Sequence, residues 1–126
     1  MSPVLEQRRD RLVTLCEALP EVVTTSGGGR HLGFRVRNRA FAWYLDDHHG
    51  DGMIVLSART TPLMQAALVA DAPDRYSLPA YVARYGWVSL RIDQRTIDWD
   101  EVSALVRGSY RLVAPKRLAA QVTDPE

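Results

Sequence analysis

The chain has 126 residues, enough for one domain but too few for two domains that each bury a useful core. Hydrophobic residues make up 46% and charged residues 25%, close to the average for globular proteins, which argues against a disordered chain. The net charge of +1 is too small for bulk charge alone to drive the protein onto nucleic acid. No apolar run approaches the ~20 residues of a membrane span, so we expect a soluble, cytoplasmic protein without a membrane partner. Fifteen of the sixteen basic residues are arginine, which indicates a bacterial protein. A single domain should span residues 1–126, ordered from about 3 to 121 with frayed ends.

The chain begins with a helix predicted from Pro3 to Leu19. Ser2 is suited to be its N-cap, and Pro20 cannot continue it. Cys16, the single cysteine, lies on the apolar stripe of this helix. We therefore assign it to the core rather than to a reactive or metal-binding site. A short β-branched strand, Val22–Thr25, follows.

Two hairpins come next. Strands are predicted at His31–Arg37 and Ala40–Leu45, joined by a tight turn at Asn38-Arg39 because asparagine tolerates positive φ. Alternation places Arg35 and Arg37 together on one face of the first strand. In the second strand, one face is predicted to hold Phe41, Trp43 and Leu45. The next strand, Met53–Ala58, completes a second hairpin.

The remaining chain alternates helices with one strand. The pattern predicts a helix at Pro62–Ala70 with Thr61 as its cap, a helical turn at Leu78–Arg84 and a strand at Trp87–Ile92. It then predicts a helix at Asp98–Leu112 with Asp98 as its cap, and a final turn at Lys116–Gln121. Because the strands come mainly as consecutive hairpins, we predict an α+β fold. It consists of an antiparallel sheet with helices packed on one side.

A set of short segments occurs in a characteristic order along the chain: Leu19–Val22, His31–Arg37, Phe41–Ala42, Asp47–Gly52, Gly86–Val88, Leu90–Asp93, Asp98–Glu101 and Ser109–Leu118. Together, from about Leu5 to Ala120, they resemble the MmcQ/YjbR family. The resemblance implies a double-wing fold similar in outline to CyaY. It also implies DNA binding, which is how the family is usually described. The chain departs from the family pattern at Asn38-Arg39, where relatives tend to have Gly-Lys, and at Ala58, near where a lysine is common.

Basic residues concentrate in two segments without acids, Arg30–Arg39 and Arg107–Arg117. We predict a non-enzymatic protein that contacts DNA phosphates with weak sequence selectivity, since no helix stands out as a reader of bases. The candidate contacts are Arg35, Arg37, Arg39, Arg59, Arg107, Arg111, Lys116 and Arg117. The alternative is a solvated charged face balanced by acids elsewhere.

Two further interpretations stay open. A hairpin loop carries four weak candidates for metal ligands: Asp47, His48, His49 and Asp51. All lie on one loop whose residues also suit a surface turn, so a solvated turn is favoured and no cofactor or catalytic site is predicted. The second interpretation is a protein-interaction or homodimerisation module with an exposed aromatic face anchored by Trp43 or Trp87.

Overall fold

The computed structural model of the protein describes residues 2–123, except the side chain of His49. The frayed ends predicted above fall largely on residues 1 and 124–126, which lie outside the described residues. The helices are α1 (Pro3–Glu17), α2 (Pro62–Asp71), α3 (Trp99–Val113) and α4 (Lys116–Ala119). The strands are β1 (Val23–Ser26), β2 (Leu32–Val36), β3 (Arg39–Asp46), β4 (Ile54–Arg59), β5 (Tyr76–Ser77) and β6 (Trp87–Arg91). Short 3-10 turns occur at His48–Gly50 and Ala83–Tyr85.

The three longer helices begin at side-chain caps. Ser2, Thr61 and Asp98 each accept hydrogen bonds from backbone N–H groups in the first turn of the helix that follows. These bonds satisfy donors that have no partner within a helix. The helix starts therefore agree with the local sequence signals.

The strands form one six-stranded sheet in the order β1-β2-β3-β4-β6-β5, with every neighbouring pair antiparallel. This arrangement confirms the α+β class. Strand β5 was not expected from the sequence. It has only two residues and is defined by its pairing with β6.

The β2–β3 turn lies one residue earlier than predicted. Val36 pairs with Arg39, so Arg37 and Asn38 are the central residues, with φ angles of 49° and 65°. Two positive φ angles in a two-residue hairpin are typical of a type I′ turn. Arg37 is therefore a turn residue and does not share a strand face with Arg35, contrary to the prediction.

A β-bulge follows in β3. Phe34 pairs with Ala42 and Arg35 pairs with Ala40, which leaves Phe41 as the extra residue. The Phe41 ring meets the Tyr110 ring edge-on at 5.5 Å between centroids. The prediction that Phe41 shares a face with Trp43 and Leu45 is therefore wrong, because the bulge turns Phe41 toward the helices.

The Ser109 hydroxyl bridges β3 and β4 beside the bulge, where the pairing of these two strands ends. It accepts a hydrogen bond from the Arg59 backbone N–H at 2.9 Å and donates one to the Phe41 carbonyl. Ser109 is buried on α3. One side chain thus satisfies two backbone groups and ties α3 to the sheet.

One hydrophobic core lies between the sheet and the helices. Fully buried side chains of the sheet, such as Tyr44 and Leu56, belong to the same core cluster as Leu12 of α1 and Val106 of α3. Cys16 is also in this core, as the apolar stripe predicts. Burial, together with the charge of Glu17, raises the pKa of the thiol far above its ordinary value, which disfavours the reactive thiolate.

Among the helices of residues 2–123, none combines the length and the apolar character needed to cross a membrane.

Candidate functional site

A basic surface depression forms where the β2–β3 turn meets the end of α3 and the start of α4. It has a volume of 490 Å³ and is lined by residues that include Arg37, Arg39, Arg111 and Lys116. The hairpin turn supplies the first two side chains, and the α3–α4 corner supplies the others. The fold thus brings together members of both arginine-rich segments. We call this feature the basic depression.

Glu21 is an acidic neighbour of the basic depression. Its carboxylate accepts hydrogen bonds from Arg37 Nε at 2.7 Å and from Arg37 Nη2 at 3.1 Å. These hydrogen bonds lower the pKa of Glu21, with smaller contributions from the charges of Arg37 and Arg117. Both partners are about half exposed, so solvent screens the pair. Glu21 therefore holds the Arg37 guanidinium in place while offsetting part of its charge.

On the other side of the depression, the C-terminal segment orients Arg111. Arg111 Nε donates a hydrogen bond to the Val122 carbonyl at 3.2 Å, which orients its guanidinium. Lys116 and Arg117 open α4 and are exposed, as is Arg39 across the depression. Arg117 follows Lys116 directly, and its charge acts on Glu21. The immediate surroundings therefore carry more positive than negative charge.

Four of the predicted phosphate contacts are absent from the residues that line the basic depression: Arg117, which directly follows Lys116, and Arg35, Arg59 and Arg107. Arg35 places its guanidinium 5.7 Å from the centre of the Trp43 ring. Arg59 pairs with Trp87 in the sheet. Arg107 donates to the Ser103 hydroxyl at 2.8 Å, within its own helix. The structure therefore separates Arg35, Arg59 and Arg107 from the four that line the depression, while Arg117 adjoins the depression through Lys116.

The acidic–histidine loop has its carboxylates engaged in the turn. Asp47 Oδ1 accepts from the Gly52 N–H at 2.6 Å, and Asp51 Oδ1 accepts from the Met53 N–H at 2.9 Å. Among the described residues, which leave out the His49 side chain, no group of three or more histidine, cysteine, aspartate or glutamate residues is arranged to hold a metal ion. This geometry fits a structured surface turn. The four candidate ligands remain a prediction.

A second feature was missed by the sequence reasoning. A groove of 510 Å³ lies on the face of the sheet opposite the core, which we call the sheet groove. Its lining includes Trp43, Ser57, Trp87 and Ser89. The signal that could have indicated this groove is the presence of polar serines within otherwise apolar strands. Their meeting depends on the β4–β6 register, which the sequence does not reveal.

The fold defines an α+β protein with one antiparallel sheet, and comparison with known proteins gives its family. The chain belongs to the YjbR family, whose model matches residues 17–112. The crystal structure of the Deinococcus radiodurans protein DR2400, with a DUF419 domain, has a similar fold, with a TM-score of 0.72 and 24% sequence identity. The alignment covers 94% of this chain and 91% of that chain. Among curated proteins, none matches the chain.

Proposed function

We propose that the protein is a non-enzymatic DNA-binding protein that contacts phosphates through the basic depression. The observation that carries this proposal is the convergence of Arg37 and Arg39 with Arg111 and Lys116, from distant parts of the chain. Family membership is compatible with the proposal. The chemistry of the converging side chains is its support.

The arrangement favours phosphates over bases. Guanidinium groups bind phosphate oxygens through two parallel hydrogen bonds, and an ammonium acts as a point charge. Such contacts position a duplex without reading its sequence. The depression is built from a two-residue turn and a helix corner. We therefore expect weak sequence selectivity and an affinity that falls steeply with salt.

An amide NMR titration of the protein with a short DNA duplex tests this proposal. We expect saturable shifts at the β2–β3 turn and at the α3–α4 corner, with Arg39→Ala weakening the binding. Arg95→Ala is the matched control, since Arg95 is exposed in the loop before α3 and its substitution removes the same charge. An absence of saturable shifts at low salt contradicts the proposal. Equal weakening by both variants contradicts the assignment to the depression.

A protein-interaction or homodimerisation role is the second candidate. Leu63 of α2 is 84% exposed and Tyr81 is 82% exposed, and both are large apolar side chains. Gln65 of α2 donates to the Ala83 carbonyl at 2.7 Å, which brings α2 beside the segment that carries Tyr81. Of the two anchors expected from the sequence, Trp87 is buried and Trp43 is partly exposed. Sedimentation equilibrium separates monomer from dimer, and a monomer at all concentrations would remove the homodimer.

A further inference from the structure

The sheet groove owes its space to small residues. The Trp43 indole lies against β2, and a Cβ atom added to Gly33 would be 2.8 Å from two of its ring carbons. A Cβ on Gly27 would also be 2.8 Å from the ring. These glycines let the indole settle toward the β1–β2 side of the sheet, and they leave the surface over β4 and β6 open.

The floor of the groove is a row of hydroxyl groups. Ser57 pairs with Ser89 across β4 and β6, and Ser89 pairs with Ser77 of β5. All three line the groove. Ser57 and Ser89 are only 2% and 4% exposed, so they lie at its bottom. Each hydroxyl supplies one donor and two acceptor positions to a molecule above it.

The walls are apolar and aromatic. Trp87 lines one side, and the segment from Leu78 to Val82 lines the same groove. Within that segment Tyr81 has a φ of 68°, a left-handed conformation that is rare for a bulky residue. Backbone strain of this kind persists only where the surrounding structure imposes it, and it concentrates at ligand sites. The strained residue here is one that lines the groove.

An imidazole of fixed orientation also lines the groove. His31 Nδ1 accepts a hydrogen bond from the Asp46 backbone N–H at 3.0 Å. With Nδ1 engaged as an acceptor, Nε2 is the ring nitrogen left to meet a ligand. Its ring meets that of His48 edge-on at 5.3 Å. Among the described residues that line the groove, Asp51 is the one with a formal charge.

We propose that the sheet groove binds a small, uncharged, planar heteroaromatic molecule with hydrogen-bonding groups along its edge. Aromatic walls match a flat ring, and the serine row matches edge donors and acceptors. The volume of 510 Å³ falls within the range of small-molecule sites. No arginine or lysine is among the described lining residues, so a phosphate-bearing ligand would have no cationic partner within the lining; Arg35, beside Trp43, lies outside it. The site shares no lining residue with the basic depression and does not depend on DNA binding.

The test is a fragment screen by protein-observed NMR. The probes are uncharged purines, pyrimidines, indoles and quinolines, compared with nucleoside monophosphates and with quaternary ammonium compounds of similar size. We expect saturable binding of uncharged heteroaromatics, with dissociation constants below about 1 mM and shifts at Ser57, Ser89 and Trp87. Binding of the charged probes alone, shifts elsewhere, or no saturable binding overturns the proposal.

Variants of the floor sharpen the test. Ser57→Val with Ser89→Val fills the groove and should abolish fragment binding. The control is Ser26→Val, the same change on the exposed edge strand β1, which should leave binding unchanged. Should the double variant fail to fold, Ser57→Ala and Ser89→Ala remove only the hydroxyls, and each should weaken binding about fivefold. Unaltered affinity in a folded floor variant contradicts the assignment. Arg39→Ala should weaken DNA binding and leave fragment binding intact.

Discussion

Arg37 donates two hydrogen bonds to Glu21, and both residues have backbone φ angles in the left-handed region, 49° and 59°. For residues other than glycine, this conformation costs roughly 1–2 kcal/mol each. The paired side chains join two backbone segments that each adopt an unfavourable conformation. Their geometry fixes the Arg37 guanidinium at the basic depression, where a phosphate would compete with the Glu21 carboxylate.

Glu21→Gln should tighten DNA binding, because it removes a negative charge and a competitor for Arg37. Fluorescence anisotropy with a labelled duplex at low salt measures the change, and the log K–log salt slope should steepen by up to about 0.9. Glu101→Gln is the matched control, since Glu101 pairs with Arg75 at 3.1 Å near the opposite end of α3. Equal tightening by both variants would mean that overall charge, rather than the depression, governs binding.

Ser109→Ala should destabilise the fold. The buried hydroxyl bonds with both the Arg59 N–H and the Phe41 carbonyl, and its removal leaves these backbone groups without their partner. We expect a loss of about 1–3 kcal/mol in the free energy of unfolding, measured by urea denaturation. Ser103→Ala, which removes an acceptor of a part-buried bond from Arg107, should cost less. A loss for Ser109→Ala no larger than for Ser103→Ala would contradict the bridging role.

Alanine substitutions at two glycines should act in opposite directions. At Gly33 a Cβ would be 2.8 Å from Trp43 ring carbons and 2.9 Å from Thr25 Oγ1, so overpacking should destabilise the protein by about 1–3 kcal/mol. At Gly108, within α3, no atom of residues 2–123 outside the adjoining helix backbone lies within 4 Å of the added Cβ, and alanine should stabilise by up to about 1 kcal/mol. Thermal unfolding followed by circular dichroism measures both effects. If Gly33→Ala raised the stability of the protein, the Trp43 indole could not lie against β2 as described.

Asp93 should make stability depend on acid pH. Burial alone would raise its pKa, but hydrogen bonds from Arg91 and the Ile54 N–H, with the Arg91 charge, outweigh burial and lower it. In the unfolded chain the pKa is about 3.9. The stabilisation is therefore fully present above that value and is lost as pH falls through the lower folded-state pKa.

The Asp93→Asn variant checks this dependence. Its free energy of unfolding should be lower than wild type at neutral pH and should change less than wild type as pH falls below about 4. The control is Asp71→Asn, which alters an exposed residue at the end of α2. Parallel pH curves for wild type and Asp93→Asn would show that this carboxylate does not contribute.

Local signals account for what the sequence predicted correctly. The caps at Ser2, Thr61 and Asp98 act within one helical turn, and alternating apolar residues mark most strands. The turn at Arg37-Asn38 was misplaced because arginine at positive φ runs against its intrinsic preference. The Phe41 bulge and the short strand β5 depend on neighbouring strands, which local patterns do not contain.

The candidate sites, like the fold, could be predicted from the sequence only where local signals are enough. The sequence identified basic segments, but only the fold shows that Arg39 and Lys116 share a depression while Arg35 stacks on Trp43. The sheet groove depends on the pairing of Ser57 with Ser89. Long-range register of this kind sets which side chains meet, and no local spacing encodes it.

The salt dependence of DNA binding tests the proposed function most directly. If about four phosphates are neutralised, a plot of log K against log salt should have a slope of roughly −3.6. Removing two contacts together, with Arg39→Ala and Lys116→Ala, should reduce the slope by about 1.8. A wild-type slope near zero, or no binding at low salt, would contradict the assignment of phosphate contacts to the basic depression.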